Sequence, residues 1–228
     1  MLRYQRVSSD VFMDTFFASV PSMKKNKCVQ VFCTDFYYFY VNAIEMKRDV
    51  PKAVKRFFKE VGVPPNLICD PAPEQVKGDT RKICEEANCT IRQLEKGTQW
   101  ANRAEGAVNR FKLDVKKLLK ESNAPLVMWD YCLERLCKIF NHTALTLFQL
   151  DGITPHTMMI GQLSDISAIC EFAWYDWVYF RDGDQQFPHN HERLGRALGP
   201  ADNAGPGMSQ WILTGNGNRP CDDSPLLK

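Results

Sequence analysis

The chain has 228 residues, a formal net charge of +2, and a composition that is 44% hydrophobic and 25% charged. These values are typical of a globular protein with one substantial domain and a small second one, and they exclude disorder over most of the chain. No signal peptide opens the sequence and no apolar run approaches the roughly 18 residues that span a membrane, so we expect a soluble intracellular protein without a membrane partner.

Strand patterns occur four times in the first hundred residues. These segments are rich in Val, Ile, Phe and Tyr and are bounded by turn residues. The predicted strands cover 11–20, 28–44, 66–69 and 90–94. The second segment is long enough for one long strand or two short ones.

Helical spacing appears between and after these strands. Apolar residues at i, i+3, i+4 and i+7 predict an amphipathic helix from Val54 to Val61, which ends at Gly62. A short helix over 80–87 and a helix over 125–140 are also predicted. The clearest helix follows a loop over 95–100, and its buried stripe comprises Ala104, Val108, Phe111, Val115, Leu118 and Leu119.

The order of these elements predicts an α/β fold, a mixed sheet flanked by helices, over residues 1–150. Residues 151–171 are expected to connect this core to a small β-rich C-terminal module over 172–228. Within that module, strands are predicted over 172–180 and 210–213.

Three acidic residues stand where a carboxylate is unusual. Asp14 lies inside an apolar strand, where an uncompensated charge is costly. Asp70 directly follows the strand over 66–69, at the kind of strand end where ligands gather in α/β sheets. Glu105 lies in the first turn of the long helix and borders its buried stripe. Carboxylates on rigid elements suit Mg²⁺ or Mn²⁺, and two such ions can clamp both oxygens of an in-line phosphoryl displacement.

The residues around Glu105 read W-A-N-R-A-E-G-A-V-N-R-F-K from Trp100 to Lys112, and 34 residues separate Asp70 from Glu105. This pattern resembles the integrase core of retroelements, in the style of copia-type polyproteins, whose acids follow the order Asp, Asp, Glu within a motif like N-G-x-A-E-R-x-N-R. The strand around Asp14 resembles the first-aspartate strand of that family, and the segment 152–161 resembles the segment that follows its core.

The resemblance implies a ribonuclease H-like fold in which Asp14, Asp70 and Glu105 bind two divalent ions, Mg²⁺ or Mn²⁺. The implied activity trims a DNA end and then directs the new 3′-hydroxyl to attack target DNA. The implied partners are the DNA ends of the element, target DNA and further copies of the chain. No small-molecule substrate is expected, and the implied site of action is the nucleus.

Nucleic-acid contacts are expected around the long helix. Residues at i, i+4, i+7 and i+11 from Glu105 share its helix face, where they would meet the DNA backbone without reading its sequence. The loop that precedes the helix is expected to be mobile beside the site. The predicted nucleic-acid-binding residues are Trp100, Asn102, Asn109, Lys112 and Lys116.

Two other functions stay open. The sequence contains no His-His-Cys-Cys zinc module ahead of the core, which is typical of a polyprotein fragment or a degenerate genomic copy. A catalytically inactive retroelement relic, or a domesticated DNA-binding module, is therefore the first alternative. A ribonuclease H-like nuclease, which hydrolyses nucleic acid without joining it, is the second.

Overall fold

A computed structural model describes residues 4–95, 102–147, 150–181, 188, 191–201 and 209–214. The chain divides into two compact units, Met1–Val115 with Leu126–Ser164, and Lys116–Pro125 with Asp165–Lys228. This division differs from the expected boundaries after residues 150 and 171. Residues 151–164 belong to the first unit because they pack on it, and Met159 contacts its hydrophobic core.

The first unit is built on a five-stranded mixed sheet with the strand order β3-β2-β1-β4-β5. β1 is antiparallel to β2 and parallel to β4. The predicted run over 28–44 forms two strands, and the mixed sheet that the sequence predicts is confirmed. The strands are β1 (Val11–Phe17), β2 (Cys28–Thr34), β3 (Phe39–Ile44), β4 (Asn66–Cys69) and β5 (Thr90–Gln93).

Helices flank this sheet on both faces, as predicted. None of the helices within the described ranges combines the length and the apolar character that a membrane span requires. α4 contributes residues to both units, and α7 belongs to the second unit. The helices are α1 (Val50–Glu60), α2 (Pro73–Val76), α3 (Gly78–Glu86), α4 (Arg103–Ser122), α5 (Trp129–Asn141), α6 (Pro155–Ile160) and α7 (Ser167–Cys170).

The main hydrophobic core lies between α1 and the sheet face that carries Val11 and Met13. Phe57 of α1 is 1% exposed, and its ring stacks on that of Phe32 with the centroids 4.5 Å apart. Burial of apolar surface stabilises the fold by roughly 25 cal/mol per Å², and an aromatic pair adds about 0.5–1.5 kcal/mol. The contact between α1 and the sheet is therefore a principal source of stability.

The opposite face of the sheet is covered by α4 and α5. Ala104 of α4 packs against this face, and the Phe111 ring lies edge-on to Phe39 of β3, with the centroids 5.3 Å apart. Asn141 at the end of α5 accepts the Phe39 N–H and donates its amide to the Phe39 carbonyl, both at 2.7 Å. The Asn141 side chain thus pairs with the backbone N–H and carbonyl of Phe39, which lie on the outer side of the edge strand β3.

The second unit contains a three-stranded antiparallel sheet of β6 (Trp177–Arg181), β7 (Glu192–Pro200) and β8 (Gln210–Thr214), in that order. The predicted strand over 172–180 is wrong at its start. Tyr175 has a φ of 64°, a left-handed conformation that interrupts an extended chain, so the strand begins only at Trp177. The strand over 210–213 is confirmed, and β7 was not predicted.

Candidate active site

Asp14 lies on β1, and Asp70 directly follows the adjacent parallel strand β4. Met13 of β1 is aligned with Cys69 of β4, and the two aspartates are the next residues along the chain. Side chains two positions apart on a strand share a face, and the residues two positions before each aspartate pack in the cluster that contains Ala104 of α4. Both carboxylates therefore project from the sheet face that α4 covers.

Glu105 lies near Asp14, in the first turn of α4. The helix begins after Asn102, whose side-chain Oδ1 accepts the N–H of Ala104 at 3.1 Å and caps the helix. Ala104 is fully buried against the sheet, and the next residue, Glu105, is exposed. The buried alanine thus holds the first turn against the sheet and leaves the glutamate at the rim, near Asp14.

Burial and the neighbouring charges shift the pKa of Asp14. Burial raises the pKa of Asp14 above its ordinary value of 3.8, and the negative charges of Asp70 and Glu105 raise it further. The backbone N–H of Thr15, which donates to Asp14 Oδ1 at 2.7 Å, and the Lys112 ammonium act in the opposite direction. Asp14 is thus the centre of a carboxylate cluster with one nearby lysine.

The donor set suits a hard divalent cation. It consists of carboxylate oxygens, which are the protein ligands that Mg²⁺ and Mn²⁺ prefer. A bound cation would offset the negative charges of Asp70 and Glu105, which add to the effect of burial on the pKa of Asp14. Within the described part of the chain, no three His, Cys, Asp or Glu side chains are already gathered around one point as a complete ligand group. Asp14, Asp70 and Glu105 are therefore neighbours on rigid elements and not a preassembled cage.

Two of the predicted DNA contacts border this cluster. Asn109 and Lys112 are exposed on α4, one and two turns beyond Glu105. The Lys112 Nζ lies 5.3 Å from the centroid of the Phe16 ring, which follows Asp14 by two residues on β1. Lys116 is exposed and belongs to the second unit, and Trp100 lies outside the described residues, as does the loop over 97–100.

Asn102, which the sequence predicts to bind nucleic acid, is buried beside the carboxylates. Asn102 is only 2% exposed, so it offers almost no surface to a DNA strand. Its amide nitrogen lies 3.4 Å from both the Met13 carbonyl and Asp70 Oδ1, and its oxygen caps α4. The side chain is occupied by protein groups, which gives it a structural position within the site.

Sequence reasoning assigned no role to Arg103, which precedes Glu105 by two residues. Its Nη1 donates to the Asp35 carbonyl at 2.6 Å, and its guanidinium lies within 6 Å of the Phe12 and Tyr37 rings. These contacts tie the start of α4 to the sheet and to the turn after β2. Its place inside the W-A-N-R-A-E-G motif was the available signal, but the partners lie more than 60 residues away in sequence.

The raised pKa of Asp14 predicts that Asp14→Asn stabilises the metal-free protein at neutral pH. Because the native pKa exceeds 3.8, the folded protein binds more protons than the unfolded chain between the two pKa values. The free energy of unfolding therefore falls as the pH rises through that window, and the Asn variant escapes this loss. Urea denaturation at pH 7 with EDTA measures the difference.

The matched control is Asp79→Asn, which makes the same change at an exposed position on α3. Its free energy of unfolding should stay within about 0.5 kcal/mol of that of the wild type. An Asp14→Asn variant that is less stable than the wild type under these conditions would contradict the electrostatic account of the cluster.

This chain is similar to known proteins in its fold. No protein-family model and no curated protein sequence matches the chain. The structure of the chain, in contrast, is similar to 308 chains of solved structures. The HTLV-2 integrase catalytic core domain in complex with magnesium, in its trimeric form, matches with a TM-score of 0.50 and 16% identity, covering 69% of this chain and 99% of that chain. The dimeric form gives a TM-score of 0.50 and 17% identity, covering 67% and 95%.

A third structure extends the match beyond the first unit. A chain of the simian T-cell lymphotropic virus intasome, solved in complex with PP2A regulatory subunit B56 gamma, matches with a TM-score of 0.56 and 11% identity. This match covers 90% of the present chain and 80% of that chain. The five-stranded mixed sheet with its flanking helices is therefore the ribonuclease H-like fold of integrase catalytic cores, as the resemblance of the sequence implied.

Proposed function

We propose that this chain is the catalytic core of an integrase-like polynucleotidyl transferase, which trims a DNA end and joins the new 3′-hydroxyl to target DNA. The observation that carries the proposal is the grouping of Asp14, Asp70 and Glu105 beside Lys112, on the α4 face of an integrase-type sheet. The W-A-N-R-A-E-G motif supports an origin in a copia-like retroelement polyprotein. The nucleus is the proposed site of action because its DNA targets lie there.

The three carboxylates are the residues that would hold Mg²⁺ or Mn²⁺, two ions in the complete site. The magnesium in the two HTLV-2 integrase structures supports this assignment. When bound, such ions activate a hydroxyl group and neutralise the charge that develops on the transferred phosphoryl group. Asp14 would contribute a ligand from β1, Asp70 from the end of β4 and Glu105 from α4, so regular elements hold or adjoin all three carboxylates.

The rest of the site would bind and orient DNA. Lys112 and Asn109 lie beyond Glu105 on an exposed helix face, where an ammonium and an amide can contact phosphates without reading the bases. The proposed assembly is a homo-oligomer on DNA, and the trimeric and dimeric forms in which the HTLV-2 core was solved support it.

Lys112→Ala is expected to weaken DNA binding and to reduce its salt dependence. Loss of one phosphate contact lowers the slope of log K against log salt concentration by about 0.9. Fluorescence anisotropy with a labelled duplex at several salt concentrations measures this slope. Lys59→Ala is the control, because Lys59 is an exposed lysine of α1 on the other face of the sheet. Equal slopes for Lys112→Ala and Lys59→Ala would remove Lys112 from the DNA interface.

A strand-transfer assay tests the proposed function. Purified protein is incubated with a labelled DNA duplex, target DNA and Mn²⁺, with EDTA as the control reaction. Joined products that EDTA suppresses would support the proposal. Cleavage without joining would replace it with a nuclease, and DNA binding that is unaffected by EDTA, without any product from a folded protein, would replace it with a DNA-binding module.

A further inference from the structure

We propose that Asn102 is a positioning residue of the carboxylate site, which fixes Asp70 and the start of α4 in one arrangement. The inference rests on the proposed function, because it gives Asn102 a part in the same site. It differs from a DNA contact, since Asn102 is 2% exposed. It also differs from an ordinary helix cap, because the side chain acts on a proposed metal ligand.

The oxygen and the nitrogen of the Asn102 side-chain amide both contact other groups of the protein. Its Oδ1 accepts the Ala104 N–H at 3.1 Å, which satisfies one of the free amides at the start of α4. Its Nδ2 lies 3.4 Å from Asp70 Oδ1 and 3.4 Å from the carbonyl of Met13. One amide therefore joins the helix that carries Glu105 to Asp70, just after β4, and to the backbone of β1 next to Asp14.

The identity of the residue matters because the usual capping residues differ in what they donate. Ser, Thr, Asp and Asn all supply the oxygen that caps a helix, and they do so with similar stability. Only Asn combines that oxygen with an NH₂ group that donates two hydrogen bonds. The two acceptors here, a carboxylate oxygen and a backbone carbonyl, match the two donors.

The contact with Asn102 orients the Asp70 carboxylate and still leaves that carboxylate able to bind a cation. An ionised carboxylate has about four lone-pair sites, so a hydrogen bond from Asn102 to one oxygen leaves positions for a cation. A neutral donor also adds no charge to a cluster in which Asp14 is already repelled by its neighbours. Partners that orient metal ligands typically contribute 10–100-fold to metal affinity or activity.

The test separates capping from positioning with three variants. Asn102→Ser keeps a capping oxygen and removes the contact with Asp70, Asn102→Asp keeps the cap and adds a negative charge, and Asn102→Ala loses both functions. Mn²⁺ binding is measured by isothermal titration calorimetry, and stability by urea denaturation with EDTA. The Ser variant should lose about 10–100-fold in Mn²⁺ affinity while the midpoint of unfolding stays close to that of the wild type.

The stability of the three variants provides a second readout. Among the three, only Asn102→Ala should lose the stability of the cap, about 1 kcal/mol. A Ser variant that binds Mn²⁺ as tightly as the wild type would overturn the inference, as would a wild type that binds no Mn²⁺. The strand-transfer assay fails or succeeds separately: Asn102-dependent Mn²⁺ binding without joined DNA would leave this inference standing and reject the proposed function.

Discussion

Replacing Glu105 by Gln is expected to reduce strand transfer by at least about 100-fold, because removal of a ligand should cost no less than removal of a residue that merely orients one. Glu105 is exposed at the rim of the carboxylate cluster, and the substitution keeps the size and most of the hydrogen bonding of the side chain. The fold and DNA binding should therefore persist. Quantification of joined products at equal protein concentration measures the effect.

Glu121→Gln provides the control, since it makes the same change on the same helix. Glu121 is exposed and forms a surface ion pair with Lys117, a contact of small energetic value. Its strand transfer should equal that of the wild type. Wild-type activity in Glu105→Gln, at Mn²⁺ concentrations at which EDTA still stops the reaction, would show that Glu105 is not a ligand of the reacting metal.

Replacing Phe57 by Ala is expected to have the largest effect on stability, a loss of about 3–5 kcal/mol in the free energy of unfolding. Phe57 is 1% exposed and stacks on Phe32, and its ring also lies near those of Tyr40 and Phe58. Truncation removes these contacts and leaves a cavity between α1 and the sheet. Urea denaturation followed by circular dichroism measures the loss.

Leu113→Ala is the corresponding control on a solvated helix face. Leu113 is 65% exposed on α4, so its truncation should change the free energy of unfolding by no more than about 0.5 kcal/mol. Similar losses for Phe57→Ala and Leu113→Ala would mean that α1 does not cover the principal core of the sheet.

The regular elements were predictable because their patterns are local. The apolar spacing from Val54 to Val61 places the buried face of α1, and β4 has the predicted bounds, Asn66–Cys69. β7 was not predictable in this way, since Gly195, Gly199 and Pro200 are residues typical of turns. Its extended form depends on pairing with β6 and β8, and a Cβ on Gly195 would lie 2.9 Å from the Leu213 carbonyl oxygen.

The sequence predicted the carboxylates of the candidate site but not the contacts that bring their elements together. The three carboxylates, one inside a strand, one after a strand and one at a helix start, were a weak signal by themselves. The resemblance of the motif around Glu105 to integrase cores pointed to Asp14, Asp70 and Glu105. The alignment of Asp14 with Asp70 depends on the register between β1 and β4, which no local pattern specifies. The burial of Asn102 and its contact with Asp70, 32 residues away, likewise depend on how α4 packs, so the sequence did not predict them.

The most direct test of the account is the position of a divalent ion. Anomalous X-ray scattering from crystals of the protein soaked in Mn²⁺ locates the ion without reliance on activity. We expect an anomalous peak within about 2.0–2.6 Å of carboxylate oxygens of Asp14 and Asp70, with Glu105 as a further ligand. Well-ordered crystals with no peak at these carboxylates, or with Mn²⁺ bound only elsewhere, would contradict the claim that Asp14, Asp70 and Glu105 form the metal centre of this protein.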